Sequence, residues 1–169
     1  MLYLAKITEQ HAEFVYSQIS NSQIYEYLEE PIPSLAEVKY KFSFAELEKS
    51  PENDTMVWLK WVAMNAQNQC VGIVEIGIFD DQYAEIGFMT FVDFQKRGYA
   101  PVYCLLAIAQ AQKRFSFPAL YASINEQNLG SRKVIERLGF ELYKVNQNAE
   151  FVKGKLSDEL IYRLTFSSN

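Results

Sequence analysis

The stretch Gln95-Lys96-Arg97-Gly98-Tyr99-Ala100 lies between a strand-like run and a long apolar helix-like run. Glycine at 98 lets the backbone take dihedrals that other residues avoid and lets it approach a ligand closely. The N–H groups at the start of the following helix have no intrahelical partner, and they face an electrostatically positive end. Together these features predict an anion site suited to a pyrophosphate, with Lys96 and Arg97 adding positive charge. The stretch is neither the dinucleotide Gly-x-Gly-x-x-Gly nor the phosphate loop that ends in Gly-Lys-Ser/Thr. Taken alone, it also reads as a plain loop with a glycine at a helix start.

Before this loop the pattern predicts three strands, Thr55–Met64, Cys70–Phe79 and Tyr83–Phe91, with turns at Asn65–Gln69 and Asp80-Asp81-Gln82. They form an antiparallel meander. After the loop a helix runs to about Arg114, with Pro101 in its first turn, where a missing N–H costs little. A strand at Ala119–Ile124 follows. The next segment, Asn128 to Phe140, reads as a helix with capping residues Asn128 and Ser131, an apolar stripe of Val134, Ile135 and Leu138, and a glycine stop at Gly139. Phe140–Val152 and Glu159–Phe166 are the last two strands, joined by a turn near Gly154. At the start, Leu2–Ile7 reads as a strand. Thr8 is the expected N-cap of a helix to Ile19, and Asn21–Glu30 is a short helix or loop. Ser34 and Glu37 have the spacing of a capping box before a helix from Leu35 to about Lys49. The fold class is α+β, with a mixed, mostly antiparallel sheet flanked by helices.

The chain has 169 residues, 49% of them hydrophobic and 22% charged, which excludes a disordered or collagen-like chain and predicts a single domain over 1–169. A net charge of −5 argues against a nucleic-acid partner and is compatible with a cationic acceptor. Cys70 and Cys104 read as free core thiols of a reducing compartment, the cytoplasm. The one histidine, His11, makes a histidine-rich zinc site or a Ser-His-Asp triad a poor fit, so no metal is expected. Met1–Lys6 does not resemble a signal peptide, and the longest apolar run, Ala100–Ala109, falls short of the ~20 residues that span a bilayer. No membrane association is expected.

The two segments together are far more specific than either. The chain resembles the GNAT superfamily of N-acetyltransferases, and within it the RimJ/RimL-like branch. Gln95-x-x-Gly98-x-Ala100 is similar to the family's acetyl-CoA loop, and Ala84-Glu85-Ile86-Gly87-Phe88 resembles the strand before it. Asn128-x-x-Ser131 with Leu138-Gly139-Phe140, and Ile161-Tyr162-Arg163-Leu164, resemble the family's later signatures. The resemblance implies that the strand holding Glu85 and the strand Ala119–Ile124 run parallel and splay apart, with acetyl-CoA in the cleft. It implies that backbone amides around Arg97, Gly98, Tyr99 and Ala100 hold the pyrophosphate. Main chain near Phe88, Met89 and Phe91 would pair with the pantetheine arm, and Asn128 would contact the donor from the opposite wall. Pro101 departs from the family pattern, which often has a hydroxyl residue there.

Amine attack on a thioester needs a proton acceptor for the amine, an N–H aimed at the carbonyl oxygen and a proton for the departing thiolate. No enzyme nucleophile is required. Glu85 is the first candidate base and Glu75 the second, because each interrupts an apolar strand. Each also reads as a solvated or salt-bridged strand residue. A three-residue turn at Asp80–Gln82 places the two on one sheet face, and a one-residue slip separates them. The family's usual tyrosine acid is replaced by Ile135, and the resemblance points to Ser131 as proton donor, a residue that also reads as a helix cap. Trp58 and Trp61 face opposite sides of one strand, one expected in the core and the other open to an acceptor pocket. Tyr25, Tyr27 and Tyr40 fall where the family builds its acceptor site.

The expected activity is acetyl transfer from acetyl-CoA to a primary amine: a protein N-terminus, a polyamine or another small amine. The competing readings are a CoA-binding regulatory module without transfer, kept by the missing tyrosine, and transfer of a bulkier acyl group. Family precedent allows a monomer or a homodimer, the latter through an edge strand near Phe166.

Overall fold

The computed structural model describes residues 1–167. Its elements are β1 (Tyr3–Lys6), α1 (His11–Ile19), a 3-10 turn (Ser22–Tyr25), α2 (Leu35–Glu46), β2 (Val57–Met64), β3 (Cys70–Ile78) and β4 (Ala84–Thr90). A second 3-10 turn (Val92–Phe94) then precedes α3 (Tyr99–Arg114), β5 (Ala119–Asn125), α4 (Leu129–Arg137), β6 (Glu141–Val152) and β7 (Lys155–Thr165). The seven strands form one sheet in the order β1-β2-β3-β4-β5-β7-β6. All neighbours are antiparallel except β4 and β5, whose parallel pairing is confined to Ala84–Leu120 and Glu85–Tyr121. Beyond that point the two strands part, as the resemblance implies.

Helix α3 covers one face of β1 to β4. It buries Ala100, Tyr103, Cys104, Ala107, Ile108 and Ala111 against Val74, Ile76 and their neighbours. Burying each large apolar side chain contributes about 1.5–3 kcal/mol. Gly72 marks the tightest approach, with the Tyr103 ring over it, and the Tyr103 hydroxyl bonds Thr90 Oγ1 at 2.7 Å. Helices α1 and α2 lie on the opposite face. α2 begins with the expected capping box, in which Ser34 Oγ accepts the Glu37 N–H and Glu37 accepts the Ser34 N–H.

Four expectations are corrected. Thr8 does not cap α1 with its hydroxyl. Its N–H instead donates to His11 Nδ1 at 2.9 Å, and the helix begins at His11 after a turn. α2 ends at Glu46, three residues early. Glu48 takes a left-handed φ of 59°, while Glu48 N–H donates to the Ala45 carbonyl and Lys49 N–H to that of Phe44. This is a Schellman stop without its usual glycine. Two hydrogen bonds from Arg114 and an ion pair with Lys6 hold Glu48 there. β7 begins at Lys155, because Lys153 and Gly154 both have positive φ and close a two-residue hairpin. Phe166 follows a strand enclosed between β5 and β6, so the sheet's edges are β1 and β6.

Candidate active site

The loop after β4 is pinned by its own side chain. Gln95 Nε2 donates to the Thr90 carbonyl at 3.1 Å. Lys96 and Gly98 have φ of 61° and 78°, both left-handed. These two reversals turn successive N–H groups to one side, a geometry that concentrates positive potential. Among the described residues, the N–H groups of Arg97, Gly98, Tyr99 and Ala100 find no protein acceptor. Pro101 follows as the third helical residue. Arg97 sits 5.6 Å from the centre of the Phe94 ring and is exposed.

The ladder decides which main-chain groups face the cleft. Phe91 N–H donates to the Val71 carbonyl at 2.9 Å. Antiparallel alternation then turns the main chain of Met89 toward β3 as well, and that of Phe88 and Thr90 toward β5. The Thr90 carbonyl is already taken by Gln95. Phe88 therefore presents free N–H and C=O groups where β5 has diverged, while Phe91 has spent its N–H inside the sheet.

On the other wall, Asn128 caps α4 by accepting the Ser131 N–H at 3.1 Å. Ser131 Oγ is partly buried and has no partner among the described residues. Ile135 is fully buried. Gly139 has φ of 94° and completes a Schellman stop, with Phe140 N–H donating to the Ile135 carbonyl. Asn125, at the end of β5, is buried and donates to Glu150 and Ser157 at 3.1 Å each.

The turn after β3 has three loop residues. Phe79 and Tyr83 face each other, and Asp81 accepts the Tyr83 N–H. Glu75 is paired with Gly87, and Gly77 with Glu85, so both carboxylates project from one sheet face. Their surroundings differ. Glu85 is exposed at the last β4–β5 pair, beside the stacked rings of Tyr83 and Tyr121 (centroids 4.7 Å apart). Burial and the neighbouring Glu85 carboxylate push the Tyr83 phenol up. Glu75 lines a cavity of about 610 Å³ between the sheet and α2, closed by the loops before and after α2. Glu85 lies outside that lining. Glu75 Oε2 accepts from Lys60 Nζ at 2.9 Å and from Trp58 Nε1 at 3.0 Å. Burial acts to raise its pKa, but Lys60, the indole and the field of Lys41 outweigh it and hold the carboxyl below its ordinary value. Trp58 lines this cavity and Trp61 is in the core. Tyr25 also lines it, its phenol pushed up to about 12 chiefly by burial, whereas Tyr40 is exposed.

Lys60 was not legible as a site residue, although a lone lysine in the apolar strand Val57–Met64 was its signal. Gly87 lies directly across the ladder from Glu75. Its function is spatial, since any side chain there meets Glu75. Among the described residues no group of His, Cys, Asp or Glu is arranged to hold a metal, and no helix is long and apolar enough to cross a membrane. Both cysteines are buried and unpaired.

Known structures share this architecture. A spermidine N-acetyltransferase from Vibrio cholerae in complex with CoA and spermine superposes with a TM-score of 0.83 at 20% identity, covering 97% of this chain and 95% of that one. An acetyltransferase from Salmonella typhimurium that modifies the N-terminal serine of a 50S ribosomal subunit protein gives 0.80 at 17% identity, covering 98% and 95%. A GNAT-family acetyltransferase from Bacillus anthracis gives 0.78 at 17%, covering 97% and 94%. No curated protein sequence matches significantly. At these identities the likeness establishes the fold. The sequence itself carries the rest: residues 1–141 match the acetyltransferase (GNAT) domain, and with the splayed strand pair and the loop of free amides in place, the chain belongs to that family.

Proposed function

We propose that this chain, as a single N-acetyltransferase domain, moves an acetyl group from acetyl-CoA to a primary amine by direct attack within a ternary complex. The observation that carries the reading is the coincidence of two features. β4 and β5 separate after Glu85–Tyr121, and the strand that frees its edge there runs directly into four unpartnered amides at the start of α3. The donor's pyrophosphate lies on the N–H groups of Arg97, Gly98, Tyr99 and Ala100, with Lys96 adding charge and Gln95 fixing the loop. The pantetheine arm pairs with Phe88, and Asn128 flanks it from α4. Solved relatives of this fold hold CoA, which supports acetyl-CoA as the donor.

In the chemical step the amine nitrogen bonds to the carbonyl carbon and the C–S bond breaks. Glu85, at the apex of the cleft and free of an ion pair among the described residues, accepts the amine proton. Glu75, held ionised by Lys60 and Trp58, is the weaker base and serves to orient the amine. The Phe88 N–H meets the carbonyl oxygen as it gains charge. Ser131 Oγ passes its proton to the CoA thiolate and is reprotonated from water, to which Glu85 gives up the amine proton. The acceptor enters through the 610 Å³ cavity.

A second reading, donor binding without transfer, is favoured by the buried Ile135 at the position of the family's tyrosine. Thermal unfolding with acetyl-CoA, with CoA and ATP as controls, tests the donor site. Ligand at 100 times its dissociation constant adds about 2.7 kcal/mol. Thiol release with an amine panel then tests transfer. A stabilising shift with no release from any amine leaves the binding module. Release that survives both Glu85→Gln and Ser131→Ala removes the assigned base and acid.

A further inference from the structure

Lys60 sits among groups that attract an ammonium. Its ammonium lies 4.5 Å from the centre of the Trp58 ring, 5.5 Å from that of Phe42 and 2.9 Å from Glu75 Oε2. Two aromatic faces and a carboxylate around one ammonium make an aromatic cage of the kind that selects cationic ligands. Only 14% of the lysine side chain is accessible, so the cage is full. Its strand alternation is unforced: Trp58, Lys60 and Glu75, the ladder partner of Lys60, share the sheet face that lines the cavity.

We infer that Lys60 is a specificity-determining residue, a tethered cation that fills the ammonium cage of the acceptor cavity and keeps a second ammonium of the acceptor out of that cage. The inference rests on the reading of this cavity as the acceptor site. Glu75 Oε2 already takes two donors, from Lys60 and the indole, so its remaining oxygen, Oε1, is left to meet one amine on the Gly87 side. A second positive charge at this wall would meet Lys60 and the nearby Lys41 with no oxygen of Glu75 left to neutralise it, although Glu30, Glu37 and Glu52 also line the cavity. The Glu75 wall therefore takes one ammonium of an acceptor and not two.

The test removes the tethered ammonium while keeping the walls of the cage. Lys60→Met retains the aliphatic stem and drops the charge. Lys60→Gln is the companion variant, and both are checked for cooperative unfolding. The Trp58 indole N–H signal is followed by NMR during titration with tetramethylammonium, a probe that needs neither donor nor turnover. The expected result is a saturable shift in the variants and none in the wild type. Thiol release then compares a linear diamine with the monoamine of equal length. The diamine-to-monoamine ratio of kcat/KM is expected to rise at least about tenfold in the variants, the scale of a desolvated cation–π contact. Equal indole shifts in wild type and variants, or none in a folded variant, overturn the cage. A saturable shift with an unchanged ratio places the cage outside the acceptor path and overturns the specificity role. Absence of thiol release from every amine overturns that role together with the transfer reading, and the indole titration shows separately whether the cage exists.

Discussion

Gly87 of β4 stands directly across the ladder from Glu75 of β3, and a Cβ at position 87 would lie 3.2 Å from Glu75 Oε1. The glycine makes room for a carboxylate whose other oxygen is fixed by Lys60 and Trp58. Gly87→Ala therefore displaces a flexible side-chain end rather than backbone. The strain is offset by the roughly 0.5–1 kcal/mol that glycine costs in a strand, so stability is expected to stay within about 1 kcal/mol of wild type while KM for the amine rises. Gly72→Ala is the contrast. Its Cβ would meet the Met89 carbonyl oxygen at 2.5 Å and the Tyr103 ring at 3.2 Å, and overpacking against backbone costs about 1–3 kcal/mol. Urea denaturation of the two variants checks the order. Equal losses would refute the distinction between a movable and a fixed neighbour.

Gly98 and Gly154 offer a matched pair. Both have positive φ, 78° and 76°, and an added Cβ meets nothing within 4 Å at either. Alanine at each is expected to cost about 1–2 kcal/mol, the price of the left-handed region alone. Only Gly98→Ala should shrink the stabilisation given by acetyl-CoA, because only there does the backbone aim amides at the donor. Thermal shifts with and without acetyl-CoA separate the two. A Gly154→Ala variant that loses the ligand effect equally would detach that effect from the loop.

Stability should fall with acid in two stages. Burial lowers the His11 pKa below its ordinary value of 6.5, against a smaller opposing pull from Glu46. The unfolded chain then binds more protons between the folded pKa and 6.5, so stability is complete above 6.5 and is lost as pH falls through that window. Protonation also removes the acceptor used by the Thr8 N–H. The second stage belongs to Glu48, lowered chiefly by its hydrogen bonds from Arg114, and to Glu75, where Lys60 and Trp58 overcome burial. Their contribution is present above 4.5 and is lost as pH falls through the folded values. Glu150 opposes this stage, since burial raises its pKa and protonation favours the fold. His11→Asn should flatten the upper stage and leave the lower one. Thermal midpoints from pH 3 to pH 8 are the readout.

The sheet was legible because each signal was local. Apolar runs at Val57–Met64 and Cys70–Ile78, a three-residue turn at Asp80–Gln82 and the Gln95–Ala100 loop each constrain their own segment. That turn also fixed the shared face of Glu75 and Glu85. What escaped was set at a distance. The end of α2 depends on Glu48 being held left-handed by Arg114, 66 residues away in sequence. The separate environments of the two carboxylates depend on Lys60 and Trp58, which reach Glu75 only through the β2–β3 register. The start of β7 was hidden because its first residues, Lys155–Asp158, look polar until Lys153 and Gly154 close the turn.

The β6–β7 hairpin tip touches both walls of the site. Lys153 Nζ pairs with Glu26 at 2.9 Å and lies 5.7 Å from the centre of the Tyr27 ring, and Glu29 accepts the Phe151 N–H. These contacts hold the loop whose Leu28 and Glu30 line the cavity. One residue away, Glu150 accepts from Asn125, whose own carbonyl and side chain order the entry to α4 by accepting from Asn128 and Gln127 N–H groups. The two halves of this clasp differ in exposure. The Lys153 and Glu26 side chains are 60% and 45% accessible, so their pair contributes no more than about 1 kcal/mol. Asn125 is buried, and removing it takes away the Glu150 donor and one of the Ser157 partners at a cost of about 1–3 kcal/mol. Lys153→Ala should therefore leave the thermal midpoint nearly unchanged, speed amide exchange across residues 26–30 and raise KM for the amine without changing kcat. Asn125→Ala should lower the midpoint and weaken stabilisation by acetyl-CoA. If Lys153→Ala destabilised the protein as much as Asn125→Ala, the tip would be part of the folding core and not a local clasp on the acceptor loop.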